Sequence, residues 1–375
     1  MINNLNSLRK KYLKAKKYFL NKKFKYFIVT ITTNTSKDKK KNLPPIREIN
    51  DILIFGVIVY SSEQLKKICK ILDESVDAIF VDTEKKIPFI IGSKNKNNFH
   101  PNQIKDINKG SRLSQEFVEL GNLSGTVKSN TNNTLVHEFK PNDITVEHVW
   151  LLLRKHFGFF GKKKVAIIGS GNIGFKLGLK LVESGVTTVL NRRDLSKCIA
   201  FSNSINLIKP QGTLASASFS ADKIKACFSA DAIIGCSNNS NVIDADMLRC
   251  MKPKGIVVDV GKGNITTKAV SYSKRKKIKI IRCDITKTIN NYISFYFKFY
   301  KDRSPEGFKK ISKNLKIISG GYIGNKGDIV VDNYLSPNQI LGVADGSGRF
   351  ENKISKSQKQ KIKLVREKFN FEDDG

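Results

Sequence analysis

Residues 163–174 read KKVAIIGSGNIG, and this stretch decides the fold. The apolar run at 165–168 predicts a buried strand, and the glycines behind it have the spacing G-x-G-x-x-G. After such a strand, the first glycine permits a tight turn, the second leaves room for a pyrophosphate, and the third lets the next helix pack closely. Segment 172–185 predicts that helix, whose N-terminal N–H groups would face the phosphates. The stretch therefore predicts a dinucleotide-binding loop; a domain that kept the loop and lost the ligand is the alternative.

The chain beyond this loop alternates predicted strands with helices. Strand-sized apolar runs occur at 186–191, 230–237, 255–261 and 277–284. A strand–helix–strand rhythm with short connections is typical of a doubly wound parallel sheet. We therefore predict an α/β fold in which residues 143–290 form an NAD(P)-binding Rossmann-type domain. The predicted ligand contacts in its first loop are Gly169, Ser170, Gly171, Asn172, Ile173 and Gly174.

The tip of the second strand indicates which coenzyme the domain prefers. Residues 191–194 read NRRD, at the distance from the loop where the ribose of a dinucleotide is recognised. The strand tip offers no acidic residue to a ribose hydroxyl, whereas Arg192 and Arg193 can form charge-assisted hydrogen bonds with a 2′-phosphate. We therefore predict that Asn191, Arg192 and Arg193 contact NADP, with NAD as the second option. A solvated turn in a basic protein is the alternative interpretation.

Two later strand ends should border the same ligand, because ligands of open α/β sheets lie beyond the carboxyl ends of the strands. These ends are GCSNNSNVI at 235–243 and VDVGKGN at 258–264. The predicted cofactor contacts there are Cys236, Ser237, Asn238 and Gly261, with Lys262 and Asn264 as neighbouring polar groups. For Asp259 we expect a structural role, in which its carboxylate caps a loop, rather than a role in catalysis.

The first half of the chain predicts a second, smaller α/β domain. Residues 51–60 (DILIFGVIVY) and 76–84 (VDAIFVDTE) read as strands, and residues 61–75 have apolar positions at helical spacing. A strand–helix–strand unit of this kind is consistent with a parallel sheet. We predict that residues 1–142 form the substrate domain and that residues 291–375 pack back on it.

The chain is strongly basic, with 67 Lys and Arg residues against 33 Asp and Glu and a net charge of +34. Such a charge suggests nucleic acid or another anionic partner. However, the abundant Lys, Asn and Ile residues share A/T-rich codons, so genome composition could produce this bias, and the lysines are not interleaved with aromatic residues. We therefore expect a small, anionic substrate and no nucleic-acid partner.

Other bulk features bear on the compartment. No apolar segment approaches the roughly 20 residues that span a membrane, so we predict no membrane partner. Six scattered cysteines without a CxxC pair favour reduced thiols in a cytoplasmic protein and no metal site. The first 37 residues contain no acidic residue and predict an amphipathic helix that leads into a strand, with a transit peptide as the alternative.

Several blocks resemble the NAD(P)-binding domain of the methylenetetrahydrofolate dehydrogenase/cyclohydrolase family. They are PNDITVEHVWLLL (141–153), GKKKVAIIGSGNIG (161–174) and ADAIIGCSNNSNVI…MKPKGIVVDVGKGN (230–264). NRRD is similar instead to the N-R-T element of shikimate dehydrogenases and glutamyl-tRNA reductases, which implies a clamp for the NADP phosphate. The resemblance covers about residues 140–290 and implies an NAD(P)-dependent oxidoreductase; by fold analogy, it also makes a homodimer plausible.

The chain departs from both families in the residues that carry their chemistry. DVGKGN has one residue more than the folate family's D-V-G-x-N. The Tyr-x-x-x-Lys pattern of that family is not evident, since Tyr60 and Lys66 have the wrong spacing. The threonine–proline–lysine block of shikimate dehydrogenases is also missing, and residues 81–89 are similar to it only superficially. The resemblance therefore implies a superfamily and no particular substrate.

Hydride transfer to a carbonyl or imine needs a nearby proton donor. The turn that joins the two predicted domains supplies Lys140 and Asp143 as the leading pair, with a helix cap as the alternative role of Asp143. Lys85, just after a predicted strand, is a second candidate. His137 and His148 could also serve, although a histidine on a helix such as His148 is more often a half-buried packing residue.

The sequence thus predicts an NADP-dependent oxidoreductase that acts on a small polar metabolite by hydride transfer to or from a carbonyl or imine carbon. A methylenetetrahydrofolate dehydrogenase/cyclohydrolase-like enzyme is one alternative. A non-catalytic NAD(P)-binding regulatory protein is another, because no proton donor is evident from a motif.

Overall fold

The structure is a computed structural model, which describes residues 2–33, 46–84, 89–90, 98–99, 122–301 and 306–371. It divides into two compact units, Met1–Ile293 and Ser294–Gly375. None of the helices in these described ranges is both long and apolar enough to cross a bilayer. The catalytic candidate Lys85 lies outside the described residues.

In the part of the chain that the structure describes, the first unit begins with a five-stranded sheet and three helices. In chain order, the elements are α1 (Ile2–Lys22), β1 (Tyr26–Thr33), β2 (Arg47–Ile49), β3 (Ile52–Val59), α2 (Ser62–Leu72), β4 (Ala78–Asp82), β5 (Phe89–Ile90), β6 (Asn98–Phe99), α3 (Leu123–Lys128) and β7 (Leu135–Phe139). The strand order is β2-β3-β1-β4-β7. Only β2 runs antiparallel to its neighbour, and β5 pairs with β6 separately.

One face of this sheet carries the core of the N-terminal part. Alternate residues of β1 and β3, including Phe27 and Leu53, pack against Tyr12 of α1, Leu65 of α2 and Leu123 of α3. Helix α2 forms as its spacing predicts, because Ser61 caps it by accepting a hydrogen bond from the N–H of Gln64. The predicted strand–helix–strand arrangement with a mostly parallel sheet is therefore present.

A six-stranded sheet follows in the same unit. Its elements are α4 (Pro141–Phe157), β8 (Lys164–Ile168), α5 (Asn172–Glu183), β9 (Thr187–Asn191), α6 (Leu195–Ile208), β10 (Ala217–Phe219), α7 (Lys223–Cys227), β11 (Ala232–Gly235), α8 (Ala245–Arg249), β12 (Ile256–Asp259), α9 (Thr267–Lys276), β13 (Lys279–Arg282) and α10 (Thr286–Lys301). All pairs are parallel, in the order β10-β9-β8-β11-β12-β13. Numbered from β8, this is the order 3-2-1-4-5-6 of the doubly wound dinucleotide-binding fold. The predicted fold class is confirmed.

The segment between β9 and β11 contains more structure than the sequence pattern indicates. Helix α6 buries Cys198, Ser202 and Ile205, so small and polar side chains supply much of its inner face. Strand β10 buries only Ala217 of its three residues. Neither element has the apolar periodicity by which helices and strands are predicted, and this is why both were missed.

The second unit begins within α10, and its described residues form a four-stranded mixed sheet and a further helix. The elements after α10 are β14 (Phe308–Ser312), β15 (Leu315–Ser319), β16 (Ile329–Val331), β17 (Ile340–Val343) and α11 (Lys356–Phe369). The strands follow one another in sheet order, and only β15 and β16 are parallel. Val365 of α11 packs with Ile317, Ile329 and Val343 on one face of the sheet. The domain boundaries at 142/143 and 290/291, and the packing of residues 291–375 on the first domain, stay predictions.

Candidate cofactor site

The loop after β8 turns at a glycine that no other residue could replace without strain. Gly169 has a φ of +90°, a backbone conformation that L side chains rarely adopt. A Cβ atom at this position would lie 2.7 Å from the backbone nitrogen and Cα of Ser237. Gly169 therefore allows both the tight turn and the close approach of the loop that follows β11.

The other two glycines of the motif differ in what surrounds them. A Cβ at Gly174 would lie 3.1 Å from Cγ2 of Ile167 and 3.2 Å from the carbonyl oxygen of Gly169, so α5 packs directly on the strand. A Cβ at Gly171 would meet no heavy atom within 4 Å. Packing within the protein thus explains Gly174 but not Gly171, and the space beside Gly171 is where the motif predicts a pyrophosphate.

The side chains of two predicted contacts, Ser170 and Asn191, are buried beneath the loop. The carbonyl oxygen of Asn191 accepts hydrogen bonds from the N–H groups of Gly169 (2.9 Å) and Ser170 (3.1 Å). The Asn191 side chain donates to the carbonyl oxygen of Ser220 at 2.8 Å. The Ser170 hydroxyl donates to the backbone carbonyl oxygen of Asn191 at 3.2 Å. Because these side chains are buried and bonded within the protein, they support the loop. That these two residues contact the coenzyme stays a prediction.

The two arginines behind β9 differ in their surroundings. Nη1 of Arg192 donates a hydrogen bond to the carbonyl oxygen of Ser170 at 2.9 Å. Its guanidinium lies over the ring of Phe201, 5.7 Å from the ring centroid, and the side chain is half-buried. Arg193 is exposed. One guanidinium is thus held against the glycine loop, and the second is exposed in the adjacent residue.

Asp194 does not take the place of a ribose-binding carboxylate. It caps α6, accepting hydrogen bonds from the N–H of Lys197 at 3.1 Å and from the hydroxyl of Ser196 at 2.8 Å. Both hydrogen bonds lower the pKa of Asp194 below its ordinary value, and the bond from Ser196 has the larger effect. This carboxylate is therefore already engaged within the NRRD turn, which leaves the arginines as the groups available to a ligand.

The loops after β11 and β12 are tied together by a residue that the sequence analysis noted only as a polar group. Oδ1 of the buried Asn264 accepts from the N–H of Ser237 at 3.1 Å, and its Nδ2 donates to the carbonyl oxygens of Ser237 and Asn239 at 2.8 Å each. A Cβ at Gly261 would lie 2.1 Å from the carbonyl oxygen of Ser237. The predicted contacts Ser237 and Gly261 are therefore neighbours, as the fold requires, and Asn238 is exposed beside them.

Asp259 has the loop-capping contacts expected of it. Its carboxylate accepts from the N–H of Gly263 at 2.7 Å and from that of Asn264 at 3.3 Å. Cys236, on the facing loop, is partly exposed, and desolvation of the thiolate raises the pKa of its thiol to about 12. The protonated thiol is a poor nucleophile at neutral pH.

The side chains of the catalytic candidates differ in their partners. Lys140 is exposed at the start of α4 and makes no side-chain cap there. Asp143 forms an ion pair with Lys176 of α5, and its N–H donates to the carbonyl oxygen of Lys140 at 3.1 Å. The catalytic role of Lys140 and Asp143 stays a prediction. Nδ1 of His148 lies 2.8 Å from the hydroxyl of Thr288, and the ring of His137 packs 5.2 Å from that of Phe80. Burial lowers the pKa of both histidines, although the charge of Asp284 opposes this for His148.

The pair that joins the two sheets, Glu84 and Lys176, was missed from the sequence. Oε1 of Glu84, two residues beyond β4, lies 3.3 Å from Nζ of Lys176, and its Oε2 accepts from the N–H of Asn142 at 2.5 Å. Burial works against the charge on Lys176, but its bonds with Asp143 and Glu84 raise its pKa above the ordinary value. The carboxyl end of β4 therefore lies beside α5 just past the glycine loop. Lys176 follows Gly174 by two positions, and no motif indicated it.

Fold and site together define the class of this domain. Residues 164–263 match the family model described as NADP oxidoreductase coenzyme F420-dependent. The match begins with β8 and ends in the loop after β12, so it includes the glycine loop, the NRRD turn and the loop that contains Ser237. This part of the chain therefore has the strand order of a doubly wound Rossmann fold and is similar to that family of NADP oxidoreductases.

Several solved structures are similar to a larger part of the chain. A shikimate dehydrogenase in complex with NADP+ is 14% identical, with 68% of this chain and 84% of that chain covered and a TM-score of 0.38. A dipicolinate synthase chain from Bacillus halodurans is 15% identical over 74% of this chain and 98% of that chain, with a TM-score of 0.34. Ornithine carbamoyltransferase from Pyrococcus furiosus is 11% identical, with 73% of this chain and 86% of that chain covered and a TM-score of 0.41. No curated protein matches the sequence significantly.

Proposed function

We propose that the protein is an NADP(H)-dependent oxidoreductase, which transfers hydride to or from a carbonyl or imine carbon of a small, polar, anionic metabolite. The observation that carries this proposal is the space beside Gly171. It lies at the N-terminus of α5, where backbone N–H groups and the helix dipole favour phosphate. The guanidinium of Arg192 is held against the same loop.

The preference for the phosphorylated coenzyme follows from the charges at the tip of β9. Arg192 and Arg193 supply two guanidinium groups, and Asp194 is engaged in capping α6. A ribose 2′-phosphate would gain charge-assisted hydrogen bonds here, whereas an unmodified ribose would find no free carboxylate in the turn. These features favour NADP(H), and they leave NAD(H) as the weaker ligand.

The chemistry requires a proton donor beside the hydride-accepting carbon. When bound, the nicotinamide supplies or accepts the hydride. The exposed Lys140 lies at the start of α4, two residues before the Asn142 N–H that Glu84 binds. Its amine has no ion-pair partner among the residues that the structure describes, in contrast to Lys176. We therefore propose Lys140 as the proton donor, close in the chain to Asp143 and its ion pair with Lys176. Lys85 remains the second candidate.

Turnover assays test this function. The purified protein is incubated with NADPH or NADP+ and a panel of 2-oxo acids, imines, sugar phosphates, methylenetetrahydrofolate and deazaflavin, and absorbance at 340 nm is recorded. We expect turnover with at least one anionic metabolite, a strong loss of kcat in Lys140→Ala, and unchanged NADPH binding in that variant. Unchanged turnover in Lys140→Ala would reject the assignment of the donor. Coenzyme binding without turnover across the panel would favour the non-catalytic, regulatory alternative.

A further inference from the structure

The N-terminal helix α1 carries a concentration of positive charge that the coenzyme site does not use. Residues 9–25 contain nine Lys and Arg residues, and the first 37 residues contain no Asp or Glu. In the whole chain, 33 of 375 residues are acidic, so an average stretch of 37 would carry a few of them. The local charge therefore exceeds what the composition of the chain explains.

The orientation of α1 on the protein is fixed by its inner face. Leu8, Tyr12 and Ala15 are buried against the first sheet. The hydroxyl of Tyr12 donates to Oγ of Ser75 at 2.8 Å, and the hydroxyl of Tyr18 donates to a carboxylate oxygen of Glu48 at 2.6 Å. These contacts determine which residues of the helix face outward.

The outer face of α1, defined by Lys10, Leu13, Lys14, Lys17 and Leu20, combines cations with aliphatic groups. The three lysines are exposed, and 54% of Leu13 and 64% of Leu20 are exposed beside them. The two leucines are seven positions apart, which places them on the same side of a helix. Within the described ranges, no Lys or Arg of α1 forms an ion pair with a carboxylate. The face is therefore an uncompensated positive surface with two apolar projections.

We propose that this outer face of α1 binds the surface of a bilayer that contains anionic lipids. Clusters of four to eight Lys and Arg residues on an amphipathic helix attract anionic headgroups, and α1 contains seven such residues. Exposed aliphatic side chains can enter the boundary between headgroups and acyl chains. Single-stranded nucleic acid is the less suitable partner, because Tyr12, Tyr18 and Phe19 pack against the core and provide no stacking platform. The proposal concerns peripheral contact and revises the sequence-based expectation of no membrane partner.

Co-sedimentation of the full-length protein with vesicles tests the proposal independently of coenzyme or turnover. One set of vesicles contains phosphatidylcholine alone, and a second contains phosphatidylcholine with phosphatidylserine. We expect binding to the second set only, weakened by added salt. The variant Lys10→Gln/Lys14→Gln/Lys17→Gln should lower the partition coefficient about a hundredfold. Leu13→Asn/Leu20→Asn should lower it without changing the salt dependence.

A matched variant separates the helix face from the general charge of the chain. Lys274→Gln/Arg275→Gln/Lys276→Gln removes three exposed cations from the end of α9 and should leave vesicle binding nearly unchanged. Equal losses in both triple variants would overturn the proposal, because bulk charge would then explain the binding. Equal affinity for both kinds of vesicle, or binding to an oligonucleotide with none to the anionic vesicles, would also overturn it.

Discussion

The guanidinium of Arg192 donates a hydrogen bond to the carbonyl oxygen of Ser170, 22 positions earlier in the chain and inside the glycine loop. The bond joins the group that should recognise the ribose 2′-phosphate to the loop that should bind the diphosphate. Because the half-buried arginine is held in place before a ligand arrives, little of its side-chain entropy remains to be lost on binding.

Replacement of Arg192 by alanine should change the choice of coenzyme. A charge-assisted hydrogen bond contributes about 1.5–3 kcal/mol, so NADPH should bind roughly 10- to 100-fold more weakly. NADH, which lacks the 2′-phosphate, should be affected far less. Fluorescence titration with both coenzymes measures this. Arg275→Ala, an exposed arginine on α9, is the control for the loss of one charge and should leave both affinities unchanged.

Gly171→Ala should weaken coenzyme binding without weakening the fold. The added Cβ meets nothing within 4 Å in the protein, but it would occupy the space proposed for the pyrophosphate. We expect NADPH affinity to fall at least about tenfold, with the midpoint of urea unfolding unchanged. Gly169→Ala should, in contrast, also weaken the fold, because its positive φ and the contact with Ser237 should cost about 1–3 kcal/mol of stability. Unaltered NADPH binding by Gly171→Ala would contradict the proposed position of the diphosphate.

Lys176→Met should destabilise the first unit. The change leaves Glu84, whose side chain is only 14% exposed, without its cation, and Asp143 loses its partner as well. Since Lys176 itself is about one-third exposed, we expect a loss of about 1–2 kcal/mol rather than the larger cost of a fully buried pair. Urea unfolding followed by circular dichroism measures it. Lys180→Met, which breaks the more exposed pair with Glu147, should cost less; an equal cost would argue against the role of Glu84.

Cys236 should resist alkylation at alkaline pH while the protein is folded. Burial raises its pKa from the ordinary 9.0 to about 12, so at pH 9 the folded thiol keeps its proton, whereas about half of the unfolded thiols are ionised. The folded protein should therefore react with iodoacetamide at least about a hundredfold more slowly at this residue than protein in urea. The same difference makes Cys236 reduce stability as pH rises above 9. Mass spectrometry of the peptide containing Cys236 gives both rates, and similar rates would show that the thiol is accessible.

The sequence predicted those residues of the site whose role depends on their neighbours in the chain. Gly169 and Gly174 could be interpreted from the strand before them and the helix after them, and Asp259 from its position at a strand end. Side-chain partners that are distant in the chain could not be predicted in this way. Glu84 and Lys176 are 92 positions apart, so nothing local revealed that Lys176, rather than Lys140, would bind Asp143.

Burial was the second feature that the pattern did not reveal. The motif placed Ser170 and Asn191 beside the ligand, but in the structure both side chains are buried. The carbonyl oxygen of Asn191 accepts hydrogen bonds from two backbone N–H groups of the loop and from the Ser170 hydroxyl, so the two residues also support the loop. The role of Asn264 was also visible only in the folded chain, because its side chain joins loops whose residues are about 27 positions apart. A polar residue near a strand end can therefore contact a ligand or support a loop. Which role it has depends on hydrogen bonds to residues that are distant in the chain, and the local sequence does not reveal these bonds.

Isothermal titration calorimetry of the unmodified protein with NADPH and with NADH tests the central claim most directly. We predict one site per chain for NADPH and an affinity for NADH at least about tenfold lower, as the loss of a charge-assisted contact implies. The absence of binding heat with both coenzymes, supported by the absence of thermal stabilisation at millimolar NADPH, would contradict the dinucleotide site beside Gly171. Tighter binding of NADH than of NADPH would contradict the role assigned to Arg192 and Arg193.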